Sequence, residues 1–416
     1  MLVKKIINLN RLRRGYTFVK FNKAFIPYGG YYSTPFARWN GSLKAENSVV
    51  LAADTARRWF VEKQIDPTVL DFIYYGITTA QPLSFYSHVY SSAVILDRKK
   101  NIPGIQVSQV CATSCTTMGS AAADVENGAY ETVYALAGDR CSSTPLLVVP
   151  SPNNGSVVTE NIVTDNFKRD PSPGAGLAMF ETAEAVAKQA GITREECDDI
   201  ALLRYEQYLD ATANGRAFQK RYMYPVEIKE RKQIKRIDAD EGVAARTKEG
   251  LAAYKTVIEG GVLTSGSQCH PADGNCGVIV TTKENAGKLS ADGTVTVQII
   301  SYGVVRVAPG RMASALVPAL TLTLKDAGIG AGELKQVKTH NPFIVNDIYL
   351  GKEMGIDQKH INNYGSPMIF GHPQAPTAGR AIIELIEALA VQGGGYGAFT
   401  GCAAGDLGAS LIVKVY

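Results

Sequence analysis

The sequence lacks paired cysteines, long apolar runs and a large net charge, which are features of disulfide-rich, membrane and nucleic-acid-binding proteins. Its seven cysteines are an odd number and include no Cys-X-X-Cys pair, which argues against a disulfide framework and favours reduced thiols. That usage predicts a reducing compartment and, with it, a cytoplasmic location. No apolar run is long enough to span a membrane. A net charge of only +4 gives no reason to expect a nucleic-acid partner.

A complete set of metal ligands is also missing. Cys269-His270 and Cys276 lie close together in the chain, but the remaining ligands of a zinc site are not found at the usual spacing. The sequence therefore predicts no metal ion in this protein.

Charge is distributed unevenly although its total is small. Residues 1–45 contain no acid, and their strand-like segments at 6–7 and 16–19 argue against a transit peptide. Residues 1–45 are therefore one basic cluster, and residues 216–236 contain a second. Its members include Arg216, Lys220 and Arg221, which are candidates to hold a phosphorylated ligand. The alternative is an ordinary solvated surface.

Cys111 is the residue that points most strongly to chemistry. It stands at a predicted strand-to-helix junction, where the helix dipole and unpaired backbone N–H groups are expected to lower its pKa. Small residues at 119–123 would let the helix lie close to another. A thiol in this setting is a candidate covalent nucleophile, although a buried cysteine is more often an inert core residue.

The 416 residues suggest two or three packed units, taking ~150 residues for a domain. Hydrophobic periodicity predicts a helix over 48–64 and a buried strand over 71–76. A helix over 111–128 and a strand over 132–138 follow.

The C-terminal part repeats this order of elements. His372 precedes a predicted helix over 376–390 that ends at three glycines, and a strand over 396–400, a turn over 401–405 and a strand over 409–415 follow. The repetition predicts two related α/β halves that face each other across one site. Residues 142–260 are richer in proline, asparagine and charge, and they are expected to form an insertion with helices over 179–190 and 238–258.

Several short segments, in this order, resemble those of the thiolase family. The segments are Thr34-Pro35-Phe36, Gly41-Ser42-Leu43, Cys111 with Gly128, Thr182-Ala183-Glu184, Asp240-Glu241, Gly261-Val262-Leu263-Thr264, Asp273-Gly274, Gly371-His372-Pro373 and Cys402-Ala403-Ala404-Gly405. One such match would be weak, but this many along nearly the whole chain is a specific signal.

The resemblance implies a five-layered αβαβα sandwich of two similar halves. Residues 1–290 would form the N-terminal half, with an inserted loop domain at about 142–260 that binds coenzyme A, and residues 291–416 the C-terminal half. It also implies a homodimer or a dimer of dimers. Coenzyme A would be a co-substrate, and no cofactor is expected.

The resemblance further implies that the chain cleaves a 3-oxoacyl-CoA with free CoA, or runs the reverse condensation. Cys111 would attack the 3-oxo carbonyl, activated by His372 as a neutral imidazole of ordinary pKa. Cys402 would exchange a proton with the acetyl-type carbanion at an ordinary thiol pKa. Backbone N–H groups of Cys111 and Ala404 would form one oxyanion hole, and His340 with His372 a second.

Some segments depart from the usual pattern of the family. His340-Asn341-Pro342-Phe343 resembles the His-Asp-Cys-Phe segment of sterol-carrier-protein-type thiolases. Cys269-His270 stands where a serine commonly contacts the pantetheine of CoA, and Ala404-Gly405-Asp406 replaces a double glycine. These departures suggest a bulky or aromatic acyl group, as in benzoylsuccinyl-CoA thiolases of anaerobic degradation. They also suggest a small zinc-containing OB-fold partner subunit.

Three other functions are weighed against thiolytic cleavage. An acetyl-CoA C-acetyltransferase would use the same residues in the condensing direction. A decarboxylating ketoacyl synthase is disfavoured because it needs no second thiol such as Cys402. A non-catalytic acyl-CoA-binding or scaffold subunit is disfavoured because it has no chemical need for two thiols and a histidine at these positions.

Overall fold

A computed structural model describes residues 19–151, 155–161, 163, 165, 168–170 and 174–416. The strand-like segment at 6–7 and most of that at 16–19 lie outside this part of the chain. No helix within it is long and apolar enough to cross a membrane.

The described residues form sixteen strands and eleven α-helices. The strands are β1 (Val19–Lys20), β2 (Phe25–Ile26), β3 (Tyr31–Ser33), β4 (Ala37–Arg38), β5 (Phe72–Gly76), β6 (Gly104–Val107), β7 (Thr132–Arg140), β8 (Leu146–Pro150), β9 (Val157–Asn161), β10 (Val226–Glu230), β11 (Gln233–Ile237), β12 (Ala272–Thr281), β13 (Val297–Arg306), β14 (Leu334–His340), β15 (Gly395–Ala403) and β16 (Leu407–Val415). The helices are α1 (Ser48–Glu62), α2 (Ser87–Ile95), α3 (Thr113–Asn127), α4 (Met179–Ala190), α5 (Arg194–Arg216), α6 (Lys248–Ala252), α7 (Lys283–Leu289), α8 (Leu316–Ala327), α9 (Val345–Met354), α10 (Pro367–Phe370) and α11 (Thr377–Val391).

The two halves of the chain have the same strand order. In the first half β6, β5, β7 and β12 lie side by side, and the short β3 and β4 pair with β12 at the far edge. In the second half β14, β15, β16 and β13 follow one another, and a single parallel bridge from Val337 to Ile361 stands where β6 stands in the first. Parallel and antiparallel pairings also correspond, since β5–β7 and β14–β15 are parallel whereas β7–β12 and β15–β16 are antiparallel.

Strand β2 pairs with both β12 and β13, so the two halves form one continuous sheet of twelve strands. Helices α3 and α11 form the layer between the two halves of this sheet. Each contacts strands of both halves, and the two helices contact each other. Their close approach depends on small residues: a Cβ atom at Gly379 of α11 would lie 3.2 Å from Ser114 Cβ of α3 and would collide with Cys276 Sγ of β12, and the Gly379 N–H donates to Ser114 Oγ at 2.7 Å. Helices α1 and α2 contact the first half of the sheet, and α8 contacts the second. The predicted five-layered αβαβα sandwich is confirmed.

The two halves differ mainly in one connection. The turn between β15 and β16 consists of residues 404–406, whereas the corresponding connection from β7 to β12 runs from residue 141 to residue 271 and includes α4, α5 and α6. Long connections between neighbouring strands commonly carry binding functions.

Two local predictions are wrong. The helix expected over 238–258 is only the short α6, because Asp240 turns inward and pairs with the buried Arg380 at 2.6 and 2.8 Å. The turn expected over 401–405 begins later, since Gly401 and Cys402 continue β15 and pair with Ala409 and Gly408 of β16.

Candidate active site

Cys111 lies in a tight turn at the beginning of α3. The preceding residue, Val110, has a φ of +48°, which is unusual for a β-branched residue and strains the backbone. Thr113 holds the turn, because its hydroxyl donates to the Val110 carbonyl at 2.7 Å and accepts from the Gln109 N–H at 2.9 Å. The turn therefore fixes the thiol at the N-terminal end of the central helix.

His372 reaches Cys111 from the loop that precedes α11. Its Nε2 lies 3.2 Å from Cys111 Sγ, and its Nδ1 lies 2.7 Å from Thr377 Oγ1. With the ring proton on Nδ1, His372 donates to Thr377 and leaves Nε2 free to accept the thiol proton. The backbone N–H of His372 donates to the His270 carbonyl at 2.9 Å, which fixes the position of the ring.

Cys402 brings a second thiol to the same place from β15. It is buried, and Asn346 Nδ2 donates to its Sγ at 3.4 Å. The same amide also donates to the Ala313 carbonyl at 3.1 Å, so Asn346 holds Cys402 against the adjoining loop.

A cavity of about 240 Å³ opens onto both thiols and His372. The lining residues are Cys111, Met179, Phe180, Gln268, Cys269, Pro271, Met312, Pro342, Phe343, His372 and Cys402. Most of this lining is apolar, and the reactive sulfur and nitrogen atoms converge on it, as in a small-molecule binding site.

Burial dominates the electrostatics of the site. It raises the pKa of Cys111 to about 12 and, with a smaller effect of His270, lowers the pKa of His372 to about 3. Burial, with a smaller effect of Cys111, also raises the pKa of Cys402 above its usual value. The expected lowering of the Cys111 pKa and the ordinary values expected for His372 and Cys402 are therefore wrong. The resting pair is a neutral thiol and a neutral imidazole.

Backbone N–H groups oppose this effect at Cys111. Those of Cys111 itself and of Ala404 are hydrogen-bonded to the sulfur and lower its pKa, but they contribute less than burial. These are the two groups that the sequence predicts for one oxyanion hole. Asp406, two residues after Ala404, accepts from the Gly310 and Arg311 N–H groups at 3.1 and 2.9 Å and so anchors the turn.

His340 is completely buried beside His372. The ring centroids lie 4.1 Å apart, and neither ring nitrogen of His340 has a hydrogen-bond partner among the described residues. Burial, together with His372, lowers its pKa well below the usual value. One ligand atom each from Cys111, His340 and His372 lies within 4.8 Å of the others, the one such group in the described chain able to hold a metal.

Cys269 and His270 take different positions beside the site. Cys269 lines the cavity, its N–H donates to the Pro342 carbonyl at 2.8 Å, and burial raises its pKa to about 12. His270 contributes its backbone carbonyl to His372, and its Nδ1 lies 3.2 Å from the Pro271 carbonyl. Direct contact of either residue with a substrate stays a prediction.

The predicted basic residues do not line the cavity. Arg216 pairs with Asp238 at 3.2 Å, and Arg221 pairs with the buried Glu387 at 2.7 Å. Lys220 is exposed. Their contribution to CoA binding stays a prediction.

Sequence reasoning missed Thr377 and Asn346. Thr377 begins α11 five residues after His372, and Asn346 lies in the second position of α9, three residues after Phe343. Polar residues at helix beginnings that follow a reactive segment are the signal that could have identified both.

Comparison with known protein sequences identifies the family. The family model for the thiolase N-terminal domain matches residues 30–284, and that for the thiolase C-terminal domain matches residues 293–415. The acetyl-CoA acetyltransferase of Escherichia coli (strain K12) is 26% identical over 92% of this chain and 96% of its own length. The beta-ketoadipyl-CoA thiolase of Pseudomonas knackmussii is 25% identical over 92% of this chain and 96% of its own length.

Comparison with solved structures shows the same fold. The structure of human mitochondrial 3-ketoacyl-CoA thiolase in complex with CoA superposes with a TM-score of 0.85 at 22% identity, covering 95% of this chain and 98% of that one. The predicted division at residues 290 and 291 falls between the two matched domains and stays a prediction. Because the two domain models together span most of the sequence, this chain belongs to the thiolase family of acyltransferases.

Proposed function

We propose that this chain cleaves a 3-oxoacyl-CoA with free CoA, with Cys111 as the nucleophile. The observation that carries the proposal is the 3.2 Å contact between Cys111 Sγ and His372 Nε2, beside a second thiol in one cavity. A nucleophile within hydrogen-bond reach of its base, with the base oriented by a third group, is typical of covalent catalysis. Thr377 is that third group.

The reaction follows from the positions of the three groups. Cys111 Sγ attacks the 3-oxo carbonyl while His372 Nε2 takes the thiol proton. The bond between C2 and C3 of the substrate then breaks, which leaves an acyl group on Cys111 and the enolate of a shorter thioester. Cys402 gives its proton to the C2 carbon of that enolate. The CoA thiol then gives its proton to Cys402, and its sulfur attacks the acyl carbonyl. Cys111 leaves as a thiolate and takes back the proton that His372 holds.

The neutral resting pair decides how the thiol is activated. Burial raises the pKa of Cys111 and lowers that of His372, and both shifts favour the neutral pair before substrate binds. Proton transfer therefore accompanies attack on the carbonyl, and it depends on stabilising the charge that appears on the substrate oxygen.

Two groups of donors support that stabilisation. The N–H groups of Cys111 and Ala404 are proposed to bind the oxyanion of the acyl group. His340 and His372 are proposed to bind the thioester oxygen as the enolate forms. The unpaired ring nitrogens of His340 support this role, because a buried polar atom without a partner is costly unless a ligand satisfies it.

The acyl group is proposed to be bulky or aromatic, with benzoylsuccinyl-CoA as one example. The support is the apolar lining of the cavity, in which Phe180 and Phe343 offer aromatic contacts and Met179 and Met312 offer adaptable ones. Coenzyme A would be the only small molecule required besides the substrate. Condensation of acetyl-CoA units uses the same residues and remains the second candidate.

The proposal extends to the assembly. A homodimer or dimer of dimers is supported by the hairpin β8–β9, whose exposed apolar side chains include Leu146, Val148 and Val157. The OB-fold partner with zinc is proposed from the sequence alone.

The test is CoA-dependent loss of 3-oxoacyl-CoA absorbance with acetoacetyl-CoA, a longer straight-chain substrate and benzoylsuccinyl-CoA. Each is measured with and without a co-expressed OB-fold protein, and Cys111→Ala is the control. Turnover of benzoylsuccinyl-CoA above the others supports the bulky pocket, and turnover of acetoacetyl-CoA alone contradicts it. Absence of any turnover with the partner present contradicts the catalytic proposal and favours a binding or scaffold subunit.

A further inference from the structure

The reactive pair and its neighbour His340 also form a group of donor atoms that could hold a metal ion. One ligand atom from each of Cys111, His340 and His372 lies within 4.8 Å of the other two. Thiolate sulfur and neutral imidazole nitrogen are the donors that zinc and similar soft divalent cations prefer. We propose that these three residues bind a thiophilic divalent cation such as Zn²⁺, and that the bound cation reversibly inhibits acyl transfer.

The geometry suits three ligands of a tetrahedral ion. Zinc binds sulfur at about 2.3 Å and imidazole nitrogen at about 2.0–2.1 Å, so the ligand atoms of a tetrahedral site lie roughly 3.5 Å apart. The observed distance from Cys111 Sγ to His372 Nε2 is 3.2 Å. A ring nitrogen of His340 lies within 4.8 Å of both of these atoms and supplies the third ligand.

The histidines are ready to bind a cation. His340 has no hydrogen-bond partner on either ring nitrogen among the described residues, and it is fully buried. A cation would thus satisfy a buried polar ring that the protein itself leaves unsatisfied.

The surroundings also compensate positive charge. Asp139 is buried, and its carboxylate is close enough to Cys111 to interact with the thiol electrostatically. Its carboxylate accepts from the Thr79 and Ala375 N–H groups at 2.9 Å each, which hold it in place. A buried carboxylate near the site favours a bound cation.

The fourth position of the ion would face the cavity. Cys269 and Cys402 line that cavity as well, so an incoming cation meets two further sulfur atoms. On binding, the Cys111 thiol releases its proton to solvent, the new bond joins its sulfur to the metal, and a metal-bound water is displaced. No oxidation is involved, so a chelator would restore the free thiol.

The experiment measures binding by the whole chain rather than turnover. The reduced, chelator-treated protein is titrated with Co²⁺, whose bond to a thiolate gives a charge-transfer absorption band, and bound Zn²⁺ is counted by equilibrium dialysis. We expect one ion per chain, with a band that Zn²⁺ abolishes by displacement. Cys111→Ser should remove the band. Cys115→Ser, which changes a buried thiol one turn further along the same helix, should keep it.

The histidine variants test the remaining ligands. His340→Asn and His372→Asn should each weaken Zn²⁺ binding at least about tenfold, because loss of outer partners alone commonly costs 10–100-fold in metal affinity. The proposal is overturned if no cobalt–thiolate band forms or if the band survives in Cys111→Ser. Unchanged affinity in folded His340→Asn would also overturn it. Because binding is measured without substrate, these outcomes do not depend on the proposed reaction.

Discussion

Replacing Thr377 with valine should lower kcat without changing substrate binding, because Thr377 orients the base His372 and does not line the cavity. Thr377 Oγ1 is the partner of His372 Nδ1 at 2.7 Å, both side chains are buried, and Thr377 does not line the cavity. Valine has nearly the same shape but offers no acceptor. The variant therefore removes one hydrogen bond and leaves the volume of the site unchanged.

The size of the effect follows from the charge that His372 gains. As the imidazole accepts the proton of Cys111 it becomes a cation, and its bond to Thr377 becomes charge-assisted. A hydrogen bond to a charged group contributes about 1.5–3 kcal/mol and a neutral one about 1 kcal/mol, so roughly 0.5–2 kcal/mol of the bond appears only when His372 is protonated. At 1.36 kcal/mol for each factor of ten, kcat should fall about 2- to 30-fold.

The assay is thiolysis of the best substrate of the panel, followed as kcat and KM separately. Thr377→Val should lower kcat with little change in KM, whereas Thr377→Ser, which keeps the hydroxyl, should restore most of the rate. Equal unfolding midpoints in denaturant would show that both variants are folded. Wild-type kcat in Thr377→Val would refute the assigned tautomer and the role of His372 as base.

Four further changes have defined outcomes. Cys402→Ala should still be acylated at Cys111 by a simple acyl-CoA but lose at least about 100-fold in carbon–carbon cleavage, the usual contribution of a general acid; normal cleavage would contradict its role. Because the pKa of His372 is about 3 when folded and about 6.5 when unfolded, the unfolded chain binds more protons between these values. Stability should therefore fall as pH falls from 6.5 toward 3, and urea titrations of His372→Asn should lack a dependence of about 1.4 kcal/mol per pH unit; identical pH profiles would contradict the buried neutral ring. Asp240→Asn should lower the free energy of unfolding by up to about 3–5 kcal/mol, since the buried Arg380 loses its bidentate carboxylate and keeps only Glu384, which it shares with Lys338, and a loss below about 1 kcal/mol would contradict that estimate. Lys220→Glu should raise KM for CoA, most at low salt. An unchanged KM would indicate that the basic cluster at 216–236 is an ordinary solvated surface.

The order of elements could be predicted from the sequence because it depends on local patterns. The apolar periodicity of residues 48–64, the small residues after Cys111 and the glycines at 393–395 all correspond to observed helix positions and ends. The repetition around Cys111 and His372 indicated two halves, and the common strand order of the two halves of the sheet is its structural counterpart.

What could not be predicted depends on tertiary burial. The helix dipole and backbone N–H groups at Cys111 were foreseeable, but the depth of the thiol in the fold was not, and its burial reverses the direction of the pKa shift. The segment after residue 238 is periodic enough for a helix. It is mostly not helical because Asp240 pairs with Arg380, which is distant in sequence. Thr377 is significant only because folding brings it to His372.

The most direct test of the account is to locate the acyl group. The wild-type chain is mixed with a substrate that it turns over, in the absence of free CoA, quenched in acid and examined by peptide mass spectrometry. The account predicts the acyl mass on the peptide that contains Cys111, and its loss when CoA is added before the quench. An acyl group on Cys269 or Cys402 instead, or turnover with no acylated thiol, would contradict it.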